Sequence, residues 1–190
     1  MIYPDDGKEA ISFITLTSRR IISLPNSIGR LSSLYRLDVS ENLLTYVPNS
    51  IGYLTDLMLL DVGSNNLTQL PDSICNLTSL IYLVVNNNQL THFPESIGNL
   101  ASLTQLTANN NKLTDMPDSI WRLTSLALLN VSGNQLSHIS DSIRELTSLA
   151  HLHAGSNELT HIPDSIFFFS SISRCLLQSH HIKSNRQRRN

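Results

Sequence analysis

LYRLDVSENLLTYVPNSIGYLTD, residues 34–56, runs directly into LMLLDVGSNNLTQLPDSICNLTS, residues 57–79, and the two align position for position without a gap. Leu34, Leu37, Val39, Asn42 and Leu44 of the first stand over Leu57, Leu60, Val62, Asn65 and Leu67 of the second. The same 23-residue block returns from Leu80, Leu103, Leu126 and Leu149, each time with its own asparagine: Asn88, Asn111, Asn134 and Asn157. A fixed period in the twenties predicts a solenoid. A unit this short cannot enclose a core and buries its apolar side chains only against the copies on either side. One elongated array of seven units is expected over residues 11–171, the first unit degenerate, although 190 residues would allow two domains on length alone.

Numbering each unit from its first leucine, positions 1, 4 and 6 are apolar while 3, 5 and 7 vary. That alternation has period 2 and predicts a half-buried strand. Successive units run the same way, so about eight strands form a parallel sheet in which each unit bonds to the next. Beyond position 11 the apolar residues fall at 14, 18 and 21 and then at 1 of the next unit, as in Val47, Ile51, Leu54 and Leu57. Such spacings describe one face of a short α or 3₁₀ turn. Pro48, Pro71, Pro94, Pro117 and Pro163 stand at position 15, which is expected to lie in the first helical turn. The Asn/Asp-Ser pair that follows is expected to cap free N–H groups with its side-chain oxygens. The fold class is α/β, with a strand on one side of each unit and a turn on the other. Because the turn side is the wider, the stack curves with its sheet on the concave face.

The asparagine at position 9 has a mechanical explanation. The chain leaves the strand there, and its backbone N–H and C=O groups lie inside the stack without ladder partners, which is costly. A carboxamide supplies both donors and an acceptor in one compact side chain. Asn42, Asn65, Asn88, Asn111, Asn134 and Asn157 are therefore expected to bridge adjacent units as a structural ladder and not to bind a ligand.

The pattern LPxSIxxLxSLxxLxLxxNxL, carried from residue 11 to 182, resembles the leucine-rich-repeat family. Its closest subgroup is the intracellular 23-residue type, as in plant Ras-group-related repeat proteins and repeat effectors of pathogenic bacteria. The resemblance implies a horseshoe that recognises a macromolecule on its concave sheet, and it implies no catalysis and no cofactor. It also leaves open the recognition arm of a larger enzyme, such as a bacterial repeat-type ubiquitin ligase, or an effector translocated into a host cell. Departures from the pattern gather at the ends. Arg19 stands where the first unit would carry asparagine, and His180 does so in a half-repeat over 172–182 that contains Cys175. Residues 1–10 are expected to form an N-terminal cap segment, as terminal repeats often deviate to cover an open core. Inside the array Ser140 replaces the position-15 proline, and Ala108 and Ala154 replace the valine of position 6, predicting thinner packing there.

Charge is unevenly distributed. All 15 acidic residues lie at or before Asp164. Residues 1–173 hold 8 of the 13 basic side chains, a balance of −7, whereas Arg174, Lys183, Arg186, Arg188 and Arg189 give the remainder +5. The acidic body argues against nucleic acid as a partner. Residues 183–190 read as a solvated, disordered basic tail. No targeting segment or membrane-length apolar run is visible, so a cytoplasmic protein and no membrane partner are expected. Cys75 and Cys175 fall four units apart, on the order of 20 Å at strand spacing, too far for a disulfide. Free thiols favour a reducing compartment. The N-x-S/T triplets at Asn66, Asn76 and Asn130 read as by-products of the repeat.

Binding chemistry must then come from the variable positions. Positions 2, 3, 5, 7 and 8 are expected to face the concave side or its rim. The candidates are Tyr35, Arg36 and Asp38; Met58, Leu59 and Asp61; Ile81, Tyr82 and Val84; Gln105; Leu128 and Asn130; and His151 and His153. Met58, Leu59, Ile81, Tyr82 and Val84 would make an exposed apolar cluster, uncommon without a use. Tyr82 is its expected anchor, and Arg36, Asp38, Glu41 and Asp61 its charged rim. His151 and His153 lie two apart on one strand but lack a third ligand, so no metal is expected. No nucleophile–base–orienter set, phosphate loop or zinc motif can be assembled, so no enzyme is expected. Phe167 and Phe168, outside the pattern, suggest either local capping of a monomer or a self-associating end. The expected function is a scaffold or interaction module that binds a partner protein on its concave face.

Overall fold

The alternation at positions 3 to 5 becomes seven three-residue strands in the computed structural model, which describes residues 10–168. They are β1 (Phe13–Thr15), β2 (Arg36–Asp38), β3 (Leu59–Asp61), β4 (Tyr82–Val84), β5 (Gln105–Thr107), β6 (Leu128–Asn130) and β7 (His151–His153). All pair in parallel and in sequence order within one open sheet. The register shifts by one whole unit from strand to strand: Phe13 lies beside Arg36, Arg36 beside Leu59 and Leu59 beside Tyr82. Every residue type at a given repeat position thus forms a column across the sheet. The N-terminal cap segment up to Glu9, the side chains of Phe167 and Phe168, Cys175, the half-repeat over 172–182 and the basic tail over 183–190 lie outside the described residues.

On the other side each unit makes a short 3₁₀ turn: η1 (Asn26–Arg30), η2 (Asn49–Tyr53), η3 (Asp72–Asn76), η4 (Ile97–Asn99), η5 (Asp118–Arg122), η6 (Asp141–Glu145) and η7 (Asp164–Phe168). No α-helix occurs among the described residues. Five residues are too few to repay helix nucleation with i→i+4 bonds, so the turns close with i→i+3 bonds instead. In η2 these are Ile51 N–H to the Pro48 carbonyl and Leu54 N–H to the Ile51 carbonyl, both 3.0 Å.

That geometry corrects the expected place of the prolines. Pro25, Pro48, Pro71 and Pro117 precede their turns, with φ between −71° and −64° and ψ between 144° and 148°. The ring fixes an extended residue whose carbonyl accepts the first turn bond, so the turn needs no side-chain cap. The Asn/Asp-Ser oxygens make no such cap in these turns. Where Ser140 replaces proline, its hydroxyl does cap, accepting from Ser142 N–H at 3.2 Å.

Leucine, isoleucine and valine at positions 1, 4, 6, 11, 14, 18 and 21 merge into one continuous core from Leu24 to Ile166. Ala108 and Ala154 belong to it and are fully enclosed. Gly29, Gly52 and Gly98 let neighbouring turns pack closely, since a Cβ at Gly52 would meet the Ser73 carbonyl oxygen at 2.5 Å. In the first unit Ile11 and Leu16 are exposed at positions that are buried in the six copies beginning at Leu34 to Leu149.

Candidate functional site

Each strand end is shaped by two polar devices that precede any question of binding. The first is the position-9 carboxamide. Asn88 Nδ2 donates to the carbonyls of Val62, Val85 and Asn86 at 3.0, 3.2 and 3.2 Å, while its Oδ1 accepts from Leu67 N–H at 2.9 Å. Asn65 and Asn111 repeat this arrangement, accepting from Leu44 and Leu90 N–H. Asn134 and Asn157 accept from Leu113 and Leu136 N–H. Asn42 accepts from both Arg19 and Ile21 N–H, so the degenerate first unit is held by the asparagine of the second.

The second device lies at position 8, where the backbone enters the left-handed region in every unit: Ser18, Glu41, Ser64, Asn87, Asn110, Gly133 and Ser156 have φ between 51° and 66°. Six of these are not glycine, and the conformation costs a residue with a Cβ about 1–2 kcal/mol. It turns the chain so that the following asparagine points inward. Position 8 therefore belongs first to the turn. Its side chains cross-link along the rim: Ser18 Oγ donates to Glu41 Oε2 at 2.5 Å, Asn87 to Ser64 Oγ at 3.2 Å and Asn110 to Asn87 at 2.8 Å.

Between these devices lies the variable sheet face. Position 3 forms the column Phe13, Arg36, Leu59, Tyr82, Gln105, Leu128 and His151, and position 5 the column Thr15, Asp38, Asp61, Val84, Thr107, Asn130 and His153. Tyr35, Met58 and Ile81 precede their strands at position 2. Of the expected apolar cluster, Met58 and Tyr82 are exposed, Tyr82 at 38% of its surface, and Leu59, Ile81 and Val84 are half-buried. Tyr35 is also exposed. Phe13 extends the same column at 60% exposure. It escaped the sequence reading because it sits in the unit whose pattern is weakest. Its place two residues after Ile11 would have revealed it.

The charged residues divide. Asp38, expected on the exposed face, is only 8% exposed. Its Oδ1 accepts from Ser40 N–H at 3.2 Å and Ser40 Oγ at 2.8 Å, and its Oδ2 lies 3.4 Å from the Arg36 guanidinium. The carboxylate folds back to close the strand, as an acceptor two residues before a free N–H readily does. Asp61 caps Gly63 N–H at 2.9 Å and Asn130 caps Ser132 N–H at 3.2 Å in the same way. Burial pushes the Asp61 carboxyl above the ordinary carboxylate range, and the nearby Asp38 and Glu41 add to it; the Gly63 N–H and Arg36 oppose the rise.

The C-terminal half of the face carries no Asp, Glu, Lys or Arg at these positions: Gln105 and His151 are exposed, and Leu128, Asn130 and His153 are half-buried. The described residues contain no group of three or more His, Cys, Asp or Glu side chains placed to hold a metal ion. No helix among them is long and apolar enough to cross a membrane.

A family model for a leucine-rich repeat region matches residues 11–85, 44–115 and 73–167. Among curated proteins no match is found. Similar solved structures include the crystal structure of a TDR receptor, 33% identical over 76% of this chain and 26% of that one, with a TM-score of 0.71. A plant peptide hormone receptor, RGFR1, in complex with RGF2 is 32% identical over 82% of this chain and 26% of that one, with a TM-score of 0.76. The chain spans about a quarter of the length of these solved chains.

Proposed function

The chain belongs to the leucine-rich-repeat family, and we propose that it is a non-catalytic recognition module that binds a polypeptide on its sheet face, mainly between Phe13 and Val84. The observation that carries this reading is the run of apolar side chains left uncovered there. Phe13 and Tyr82 on their strands, and Tyr35 and Met58 just before theirs, stand exposed on neighbouring units, with Leu59, Ile81 and Val84 half-buried among them. Contiguous exposed apolar surface is rare unless something covers it, and aromatic residues are enriched where binding energy concentrates. Seven strands at about 4.8 Å spacing give a face roughly 30 Å across, adequate for a standard interface. The similar RGFR1 structure is that of a plant peptide hormone receptor in complex with RGF2, which supports a peptide or protein as the occupant here. The leucines, prolines and ladder asparagines are occupied in building the scaffold, so recognition falls to the variable columns.

The test is a double substitution, Leu59→Ala with Tyr82→Ala. Both side chains point away from the core, so the circular dichroism spectrum is expected to be unchanged. Proteins captured by the immobilised wild type are expected to be absent from the variant. Capture that survives both changes would place the interface elsewhere. A recognition arm of a larger assembly would use the same surface and respond to the same test.

A further inference from the structure

We propose that the polypeptide held by this face presents a lysine or arginine side chain to Asp61, with an apolar side chain laid on Tyr82 and Met58 beside it. The inference rests on the recognition reading above and specifies the partner's chemistry.

It follows from where charge lies on the face. Across positions 2, 3, 5, 7 and 8 of all seven units, the formally charged side chains are Arg36, Asp38, Glu41 and Asp61, a balance of −2 confined to the second and third units. These are the same units that carry Tyr35, Met58 and Leu59. Arg36 is committed to Asp38, 3.4 Å away. Glu41 lies on the rim and accepts from Ser18. Asp61 is different. Its carboxylate has one backbone donor, Gly63 N–H, and no ion pair with a cation among the described residues. It is already half-buried, in register between Asp38 and Val84 and two residues from Leu59.

A partner that covers Tyr82, Met58 and Leu59 must also strip water from Asp61. An apolar or acidic partner would leave an unpaired carboxylate in a dry interface, which is strongly unfavourable. A cation supplied by the partner removes that penalty. The stem of a lysine or arginine can lie along Leu59, and its charged end is within reach of the Tyr82 ring face as well as the carboxylate. Neighbouring apolar residues of the partner then fall on Tyr82 and Met58.

The test is selection of displayed random peptides on the full chain, with the recovered peptides titrated against wild type and Asp61→Asn. Asparagine keeps the oxygen that caps Gly63, so the fold is retained, and an unchanged unfolding midpoint verifies this. Recovered peptides are expected to pair a lysine or arginine with an aromatic or aliphatic residue within three positions. Their affinity is expected to fall about tenfold or more on Asp61→Asn, and equally when the basic residue is replaced by norleucine or citrulline. Peptides without a basic residue, or basic peptides that bind Asp61→Asn as tightly as wild type, would overturn the assignment while leaving recognition by the sheet face intact. A library that yields no binder at all would overturn the recognition reading, and this inference with it.

Discussion

Replacing Asn88 by alanine removes four hydrogen bonds, but the groups left behind are not equally stranded. The Val62 carbonyl keeps Asn65 Nδ2 at 3.1 Å, the Val85 carbonyl keeps Asn111 Nδ2 at 3.0 Å and the Asn86 carbonyl keeps Ser64 N–H at 2.8 Å. Leu67 N–H loses its acceptor at 2.9 Å, and it lies inside the fully buried part of the stack. The cost is therefore that of one orphaned buried donor, about 1–3 kcal/mol. With a urea dependence of about 2 kcal/mol per molar, the unfolding midpoint followed by far-ultraviolet circular dichroism should drop by about 0.5–1.5 M. Aspartate at the same position sharpens the test. It keeps the acceptor for Leu67 but turns a second oxygen toward three carbonyls, so at neutral pH it should destabilise more than alanine. Its carboxyl would titrate above its unfolded value, because the site favours the protonated donor. Stability should consequently return as pH falls through the folded-state pKa and be complete below the unfolded one. An alanine variant with an unchanged midpoint, or an aspartate variant no worse than alanine at neutral pH, would refute the ladder reasoning.

Two further expectations concern the turn side. Trp121 is 4% exposed, and its indole N–H has no partner among the described residues. Trp121→Phe should therefore cost only the packing of the ring atoms removed, about 1–2 kcal/mol, with no added hydrogen-bond penalty; a loss well above that in a denaturant titration would contradict an unpartnered N–H. Cys75 is buried, and desolvation with Asp72 beside it pushes its thiol up to about 11. In a Cys175→Ser background, labelling at pH 8 should thus be slow in the native chain and fast after denaturation, since the thiolate is the reactive form. Rapid native labelling would contradict the burial.

What the sequence made legible follows from periodicity. Residues such as Leu37, Leu60 and Leu83 alternate with variable neighbours, and that alternation places the strands and their parallel order. The need to satisfy backbone groups at a strand exit explains why a carboxamide recurs at Asn65, Asn88 and Asn111. Other features leave no consistent letter in the sequence. Glu41, Ser64 and Asn87 share a left-handed backbone that would ordinarily be sought in glycine. Asp38 looked like a surface charge because the N–H it caps, that of Ser40, becomes free only once the strand ends. Pro48 and its counterparts fit either the first turn or the residue before it, and the shortness of the turn decides for the latter. Phe13 was hidden by the weak first unit. The partner was not legible, because Met58, Leu59 and Tyr82 suit any exposed strand as well as an interface, and only their exposure side by side in the folded sheet separates the two.

The most direct test of recognition by the sheet face is photo-crosslinking with benzoylphenylalanine placed either at Met58 on that face or at Tyr53 on the turn side, where the native residue is 72% exposed. Each variant would be irradiated with a peptide recovered by selection on the wild type. Crosslinking from position 58 and none from position 53 is the result predicted here. Crosslinking from position 53 alone would contradict the account.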